Sequence, residues 1–234
     1  MKYAFYALLL LSFSSCALGS QVGQGYPSQA SYQPDTSITK SLFNDRASTI
    51  SEANIQKILD GNYTLPNNLR ISLVKLESSQ SQRFYYRNDE YYLKSQQEYL
   101  DAFTAKFKAS DRVVKVSQIP DILISQNPTF TNIREAAVRT QSDIVVIYAI
   151  NSDLYARYKL FSKSDIKAFA TTQLIILDVR TGLIPFSTIV TKEFQSKRQQ
   201  NELNEAEAAN RIKNEAIKLT IQEIGTQLNN FMKK

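Results

Sequence analysis

Chemistry in this chain is concentrated in few places. One thiol, Cys16, follows the apolar run YAFYALLLLSF at residues 3–13, which begins after the positive Lys2 and ends in the small residues Ser14 and Ser15. A positive start, an apolar core of about 11 residues and a small-residue exit are the layout of a secretory signal. The core falls well short of the roughly 20 residues a membrane-crossing helix needs, so the stretch reads as cleaved. The second concentration is RFYYRNDEYYLK, residues 83–94, where Tyr85, Tyr86, Tyr91 and Tyr92 interleave with Arg83, Arg87 and Lys94. Aromatic faces beside cations hold sugar rings or bases by stacking. The alternative is that alternate tyrosines pack half-buried on a strand and the next helix, each hydroxyl kept wet. Tyr85, Tyr86, Arg87, Tyr91 and Tyr92 are therefore the candidate glycan- or partner-binding residues.

Much chemistry is excluded. The sequence holds no histidine, which removes His-dependent triads and ordinary His-ligated metal centres. It has no Gly-rich phosphate loop and no Gly-x-Ser-x-Gly elbow. Ser162 with Lys163, or Ser164 with Lys167, makes a serine–lysine pair only on paper, and Asp89–Glu90 and Glu205–Glu207 read as helix starts or solvated faces. No catalytic residue, metal or cofactor is expected.

Phe13-Ser14-Ser15-Cys16 resembles the lipobox of bacterial lipoproteins, with phenylalanine where that motif usually has an aliphatic residue. The resemblance implies that Cys16 is acylated, palmitate among its chains, and becomes the mature N-terminus. The alternative is an ordinary signal cut near Ala17, Gly19 and Ser20, which leaves a lone thiol in an exported chain unexplained. Each buried methylene contributes about 0.8 kcal/mol, and one chain alone holds only marginally, so two or three acyl chains make the anchor effectively permanent. By resemblance to lipoprotein sorting, the absence of aspartate at residue 17 implies the outer membrane, with the folded part facing the periplasm.

These residues need elements to position them. Residues 17–50 carry three of the six glycines among Ser, Gln and Pro with little apolar periodicity, and read as a flexible tether. The expected organisation is a signal peptide at 1–15, a lipid-anchored tether at 16–50 and one domain at 51–234. The chain is 43% hydrophobic, enough for a sizeable core, and its charge of +6 is interspersed with acids rather than blocked. With no cysteine beyond residue 16, no disulfide supports the fold.

Within the domain, residues 52–60 suggest a short helix, and LRISLVKL at 69–76 alternates with period two, as a strand does. RFYYR at 83–87 is a second strand candidate. Residues 90–108 repeat Leu93, Tyr99 or Leu100, Phe103 and Phe107 at helical spacing, and RVVKVSQI at 112–119 ends as a strand at Pro120. Asn132 followed by Glu135 looks like a capping box opening the helix NIREAAVRTQ, with Ile133, Ala136, Ala137 and Thr140 inward. DIVVIYAI at 143–150 is an uninterrupted apolar run suited to a strand buried on both faces. Two further strands are read at 154–161 and 167–179, followed by the turn Arg180-Thr181-Gly182 of a hairpin. Residues 203–232 carry a helical stripe through Ile212, Ala216, Leu219 or Thr220, Ile224, Leu228 and Phe231. Gly225 inside it points to a close contact or a weak turn. The pattern is an α/β fold: a single mixed β-sheet packed by helices, including a long C-terminal helix.

REAAVRTQSDIVVIYAI, the LDVRTG hairpin with Asp178, Thr181 and Gly182, and the final helix together resemble the CsgG-like superfamily of outer-membrane lipoproteins. That group includes the curli secretion lipoprotein, penicillin-binding-protein activator lipoproteins and polysaccharide-export lipoproteins. The resemblance implies a non-enzymatic periplasmic domain acting as an assembly or regulatory component of a cell-envelope complex. The partners would be the membrane, through the anchor, and envelope proteins, with peptidoglycan a further candidate and no nucleic acid. Two alternatives stand: a ring-forming component of a secretion or export apparatus, and a cell-wall-acting enzyme. Against a pore, the strand candidates at 154–161 and 167–176 carry Arg157, Lys159 and Lys167, whereas a membrane strand needs about 9 to 11 residues of alternating polarity.

Overall fold

The run at 144–149 organises the molecule, because its side chains are apolar on both faces and both must be covered. In the computed structural model, which describes residues 42–43, 45–46, 49–76, 90–124, 128–157 and 165–233, it becomes the central strand of a five-stranded sheet. The elements in chain order are α1 (Glu52–Leu59), β1 (Leu69–Lys75), α2 (Glu90–Lys108), β2 (Val113–Gln118), a 3-10 turn (Asp121–Leu123), α3 (Phe130–Arg139), β3 (Ile144–Arg157), β4 (Asp165–Asp178), β5 (Phe186–Lys197) and α4 (Glu205–Met232). The sheet order is β2-β1-β3-β4-β5. β1 runs parallel to both β2 and β3, while β3, β4 and β5 pair antiparallel, so the sheet is mixed. All described residues fall in the unit Pro34–Lys234. Among them, no helix is long and apolar enough to cross a membrane.

The pleat divides the apolar side chains between two clusters. Leu69, Ile71, Leu73, Ile144, Val146, Tyr148, Leu174 and Ile176 face α2 and α4 in the larger one. Val74, Val145, Ile147, Leu177 and Val179 face α3 in the smaller one. Ala168 and Ala170 of β4 are also in the larger cluster, where their short side chains let α4 lie close to the sheet. Burying a large apolar side chain contributes about 1.5–3 kcal/mol, so this two-sided cover is the main support of the sheet.

α2 buries Ser95, Tyr99, Phe103 and Phe107, one residue per turn. Leu93, expected inward, is exposed, because the four-residue spacing that begins at Ser95 directs it off the packed face. α4 buries Ala208, Ile212, Ala216, Ile217, Thr220, Ile221, Ile224, Gly225, Leu228 and Met232, and Thr220 rather than Leu219 turns inward. The close contact at Gly225 is present: a Cβ built there would lie 2.5 Å from Lys106 Cδ of α2.

Three details depart from the sequence pattern. α3 starts two residues earlier than expected, with Thr129 as its cap and Asn132 as the reciprocal third residue. Glu135 instead accepts from Arg139 along the helix. The strand read at 154–161 is, as far as Arg157, a continuation of β3; pairing with β4 passes unbroken from Ile144↔Asp178 to Arg157↔Asp165. Polar Asn151, Ser152 and Asp153 interrupt the apolar pattern but not the backbone ladder, whose hydrogen bonds do not depend on side-chain type. Upstream of α1, Leu42 O accepts from Phe130 N at 2.8 Å, Leu42 joins the α3 cluster and the Phe43 ring lies 5.0 Å from that of Phe130.

Candidate functional site

Polar side chains converge at the start of β3 and the end of β4. Asp143, buried, accepts at Oδ2 from Arg70 N and Nε, each at 3.0 Å. Its Oδ1 accepts from Arg70 Nη2 at 3.0 Å and Arg180 Nη2 at 2.9 Å. Next to it in the sheet, Asp178 Oδ1 accepts from Thr181 N at 2.7 Å and Thr181 Oγ1 at 2.8 Å, and Oδ2 accepts from Tyr63 OH at 3.1 Å. Gly182 takes φ +76, where a side chain is strained, and lets the β4–β5 turn close over Asp178. Arg134 of α3 donates to the carbonyls of Val179 at 2.6 Å and Arg180 at 2.8 Å, binding that turn to the second face. Between the turn and the segment joining α1 to β1 lies a cavity of about 340 Å³ bordered by Lys57, Ile58, Tyr63, Asp178, Arg180 and Leu183.

The electrostatics fit a positioning role. Hydrogen bonds from Arg70, outweighing the opposing effect of burial, hold the Asp143 carboxyl well below the usual carboxylate range. A carboxylate so stabilised is a weak proton acceptor near neutrality, when a general base works best with a pKa close to the working pH. Burial, followed by the Asp178 charge and hydrogen bond, raises the Tyr63 hydroxyl so that it stays a proton donor. These groups lock β1, β3, β4 and the hairpin turn together. Among the described residues, no cluster of three or more His, Cys, Asp or Glu side chains could hold a metal ion.

Of the tyrosine-rich stretch, Tyr91 and Tyr92 are described; Tyr85, Tyr86 and Arg87 lie outside the described residues, as does Cys16. Tyr91 and Tyr92 sit in the first turn of α2 and turn to different neighbours. The Tyr92 ring lies under Lys75 Nζ, 5.3 Å from its centroid, and its hydroxyl is 3.5 Å from the same amine. Tyr91 is half-buried, and burial above all pushes its hydroxyl up to about 12, with Glu215 and Arg211 of α4 in its field. Their described neighbours thus belong to different elements, β1 for Tyr92 and α4 for Tyr91. Below them the α2–α4 seam holds a buried polar chain: Tyr99 OH donates to Asn214 Oδ1, Asn214 Nδ2 donates to Ser95 Oγ at 2.9 Å, and Ser95 Oγ donates to the Tyr91 carbonyl at 2.9 Å.

The sheet also presents β5 as an edge strand of 12 residues. Ser187, Ile189, Thr191, Glu193, Gln195 and Lys197 alternate on its outer face. Ile189 is 69% exposed. Sequence reasoning singled out Asp143, Asp178, Thr181 and Gly182 as a pattern but not their partners Arg70, Arg180 and Tyr63. Arg70 and Asp143 are 73 positions apart, and only the parallel β1–β3 register brings them together.

No protein-family model matches the sequence, and no curated protein does. Solved structures overlap it in part. A hypothetical protein from Chlamydia trachomatis is 13% identical over 71% of this chain and 96% of its own, with a TM-score of 0.38. A lipoprotein from Neisseria meningitidis is 13% identical over 70% of this chain and 99% of its own, at 0.34. The minor lipoprotein from Acinetobacter baumannii is 10% identical over 68% and 91%, also at 0.34. Bacterial lipoproteins are thus among the structural neighbours, while the roles assigned above rest on this chain's own geometry.

Proposed function

We propose that this chain is an outer-membrane lipoprotein of the CsgG-like kind, anchored through acylated Cys16, whose periplasmic domain is a non-enzymatic assembly or regulatory component of an envelope complex. The observation that carries the reading is the outer edge of β5, which no described strand covers. An edge strand presents unpaired N–H and C=O groups to any extended segment that can add to the sheet. Native edges are usually blunted by lysines, prolines or bulges. β5 has no proline within Phe186–Lys197, and its pairing with β4 runs without a register shift. Its lysines face acids, Lys192 pairing with Glu223 at 3.2 Å and Lys197 with Asp165 at 3.9 Å. The partner expected is an extended segment of an envelope protein with an apolar residue to set against Ile189.

The non-enzymatic part of the reading is supported by Asp143, too strongly stabilised to accept protons near neutrality, and by Asp178, already holding three donors. The test is a photoreactive residue at position 189 of the native lipoprotein, irradiated in intact membranes, with the same residue at exposed Leu219 as control. A discrete adduct from 189 that disappears in the Thr191→Pro variant is expected; equal labelling from both positions overturns the reading. Mass spectrometry of the mature N-terminal peptide checks the anchor separately.

A second reading draws on the opposite edge. β2 also ends the described sheet, with Val114 exposed, so a β2-to-β5 contact between copies would be head-to-tail and would form a ring where its rotation closes. Light scattering in detergent distinguishes a ring from a single copy.

A further inference from the structure

Among the described residues, α1 finds less packing than a helix of its length needs. It has 8 residues, none of them buried. Helices shorter than about 12–15 residues are marginal in water and depend on packing of an apolar face. α1 has such a face, with Ile55, Ile58 and Leu59 at i, i+3 and i+4: Ile55 and Ile58 are 37% and 36% exposed, partly covered by the body, while Leu59 is 73% exposed. Ile50, just upstream, is exposed as well. We propose that this face lies on the phospholipid surface to which the chain is anchored, with Leu59 entering the headgroup–acyl boundary.

The occupant follows from where the rest of the chain enters. Leu42 and Phe43, the first described residues, are held against Phe130. Phe130 in turn touches the β4–β5 turn, its Cζ lying 3.3 Å from the position of a Gly182 Cβ. The same turn borders the cavity that Ile58 lines. The described chain nearest Cys16 therefore meets the body beside the turn that α1 also flanks, so the anchored end of the domain is the one that carries α1. Amphipathic helices at such an interface bury their apolar side about 5–10 Å deep. Lys57 in the last turn of α1 is offset by Glu52 and Asp60 at its two ends, so charge adds little net attraction to anionic headgroups and the contact is mainly apolar in character. This inference rests on the lipid-anchor reading.

The chain contains no tryptophan, so a single introduced one is an unambiguous probe. Leu59→Trp and, as reference, Leu203→Trp replace two exposed residues and leave the core intact. Leu203 lies beyond the far end of β5, where Arg211 Nη2 donates to the Lys197 carbonyl, roughly 35 Å from the turn at about 3.3 Å per residue. The full lipidated chain is reconstituted into phosphatidylethanolamine–phosphatidylglycerol vesicles containing lipids brominated near the top of the acyl chain. Leu59→Trp should emit to the blue and be quenched several-fold more strongly than Leu203→Trp, and adding Ile55→Glu should remove the difference. Equal quenching at both positions in protein that floats with the vesicles overturns this inference and leaves the anchor standing. Failure to float overturns the anchor and this inference together. A blue shift without vesicles that grows with protein concentration assigns the face to a second copy and also overturns it.

Discussion

Asp143→Asn is nearly isosteric and tests whether one carboxylate holds the end of the sheet together. Four donors converge on Asp143, and the substitution removes the charge and places an amide donor against guanidinium donors. The Arg180 contact contributes little, because that side chain is 70% exposed and water competes for it; such pairs give about 0–1 kcal/mol. The larger part comes from Arg70, whose backbone and side chain both donate to the buried acid. A hydrogen bond to a charged group contributes about 1.5–3 kcal/mol net, and partial exposure of Arg70 places the expected loss near the middle, about 2 kcal/mol. Urea unfolding at pH 7 should show the midpoint falling with the slope unchanged, and Arg180→Ala should cost under about 1 kcal/mol. The sign with pH follows from the direction of the Asp143 shift. Its folded pKa is depressed below the unfolded value of about 3.9, so its contribution is complete above that value and is lost as acidification proceeds below it. The gap between wild type and Asp143→Asn should therefore narrow between about pH 4 and pH 2. A neutral Asp143→Asn, or a gap of constant size across that range, refutes the account.

At Gly225, alanine gains about 1 kcal/mol of helix propensity but its Cβ meets the Lys106 stem, so Gly225→Ala alone should be close to neutral and become stabilising by about 1 kcal/mol in a Lys106→Ala background; equal effects in both backgrounds disprove the contact. Tyr99→Phe leaves Asn214 Oδ1 buried without its donor and should cost about 1–3 kcal/mol by urea unfolding, with much of the loss recovered when Asn214→Leu is added; an unaffected single variant counts against the buried polar chain.

Local periodicity was a good guide wherever one face of an element decided its register. β1, α2 and the β4–β5 turn lie where alternation, helical spacing and Gly182 place them, and β3 begins where its uninterrupted apolar run does. The misplacements share a cause. Leu93 has the right character for a core position, but the α2–α4 seam selects the register of Ser95 and Tyr99, a choice made by the partner helix. Thr129 rather than Asn132 caps α3, because Phe130 is already helical and buried in the smaller cluster. β3 continues past its polar residues because β4 supplies the ladder.

By itself, the amino-acid order determined the class of fold, the sites and spacing of most elements, and the exclusion of histidine chemistry, since these follow from side-chain character within a few residues. Tertiary structure alone decided that Arg70, Asp143 and Arg180 form one charged knot, that Tyr91 and Tyr92 meet different described elements, and that no described strand covers the outer edge of β5. Such outcomes depend on which strand stands beside which and on what each helix finds opposite it, and contacts across 70 or more positions leave no mark on local periodicity.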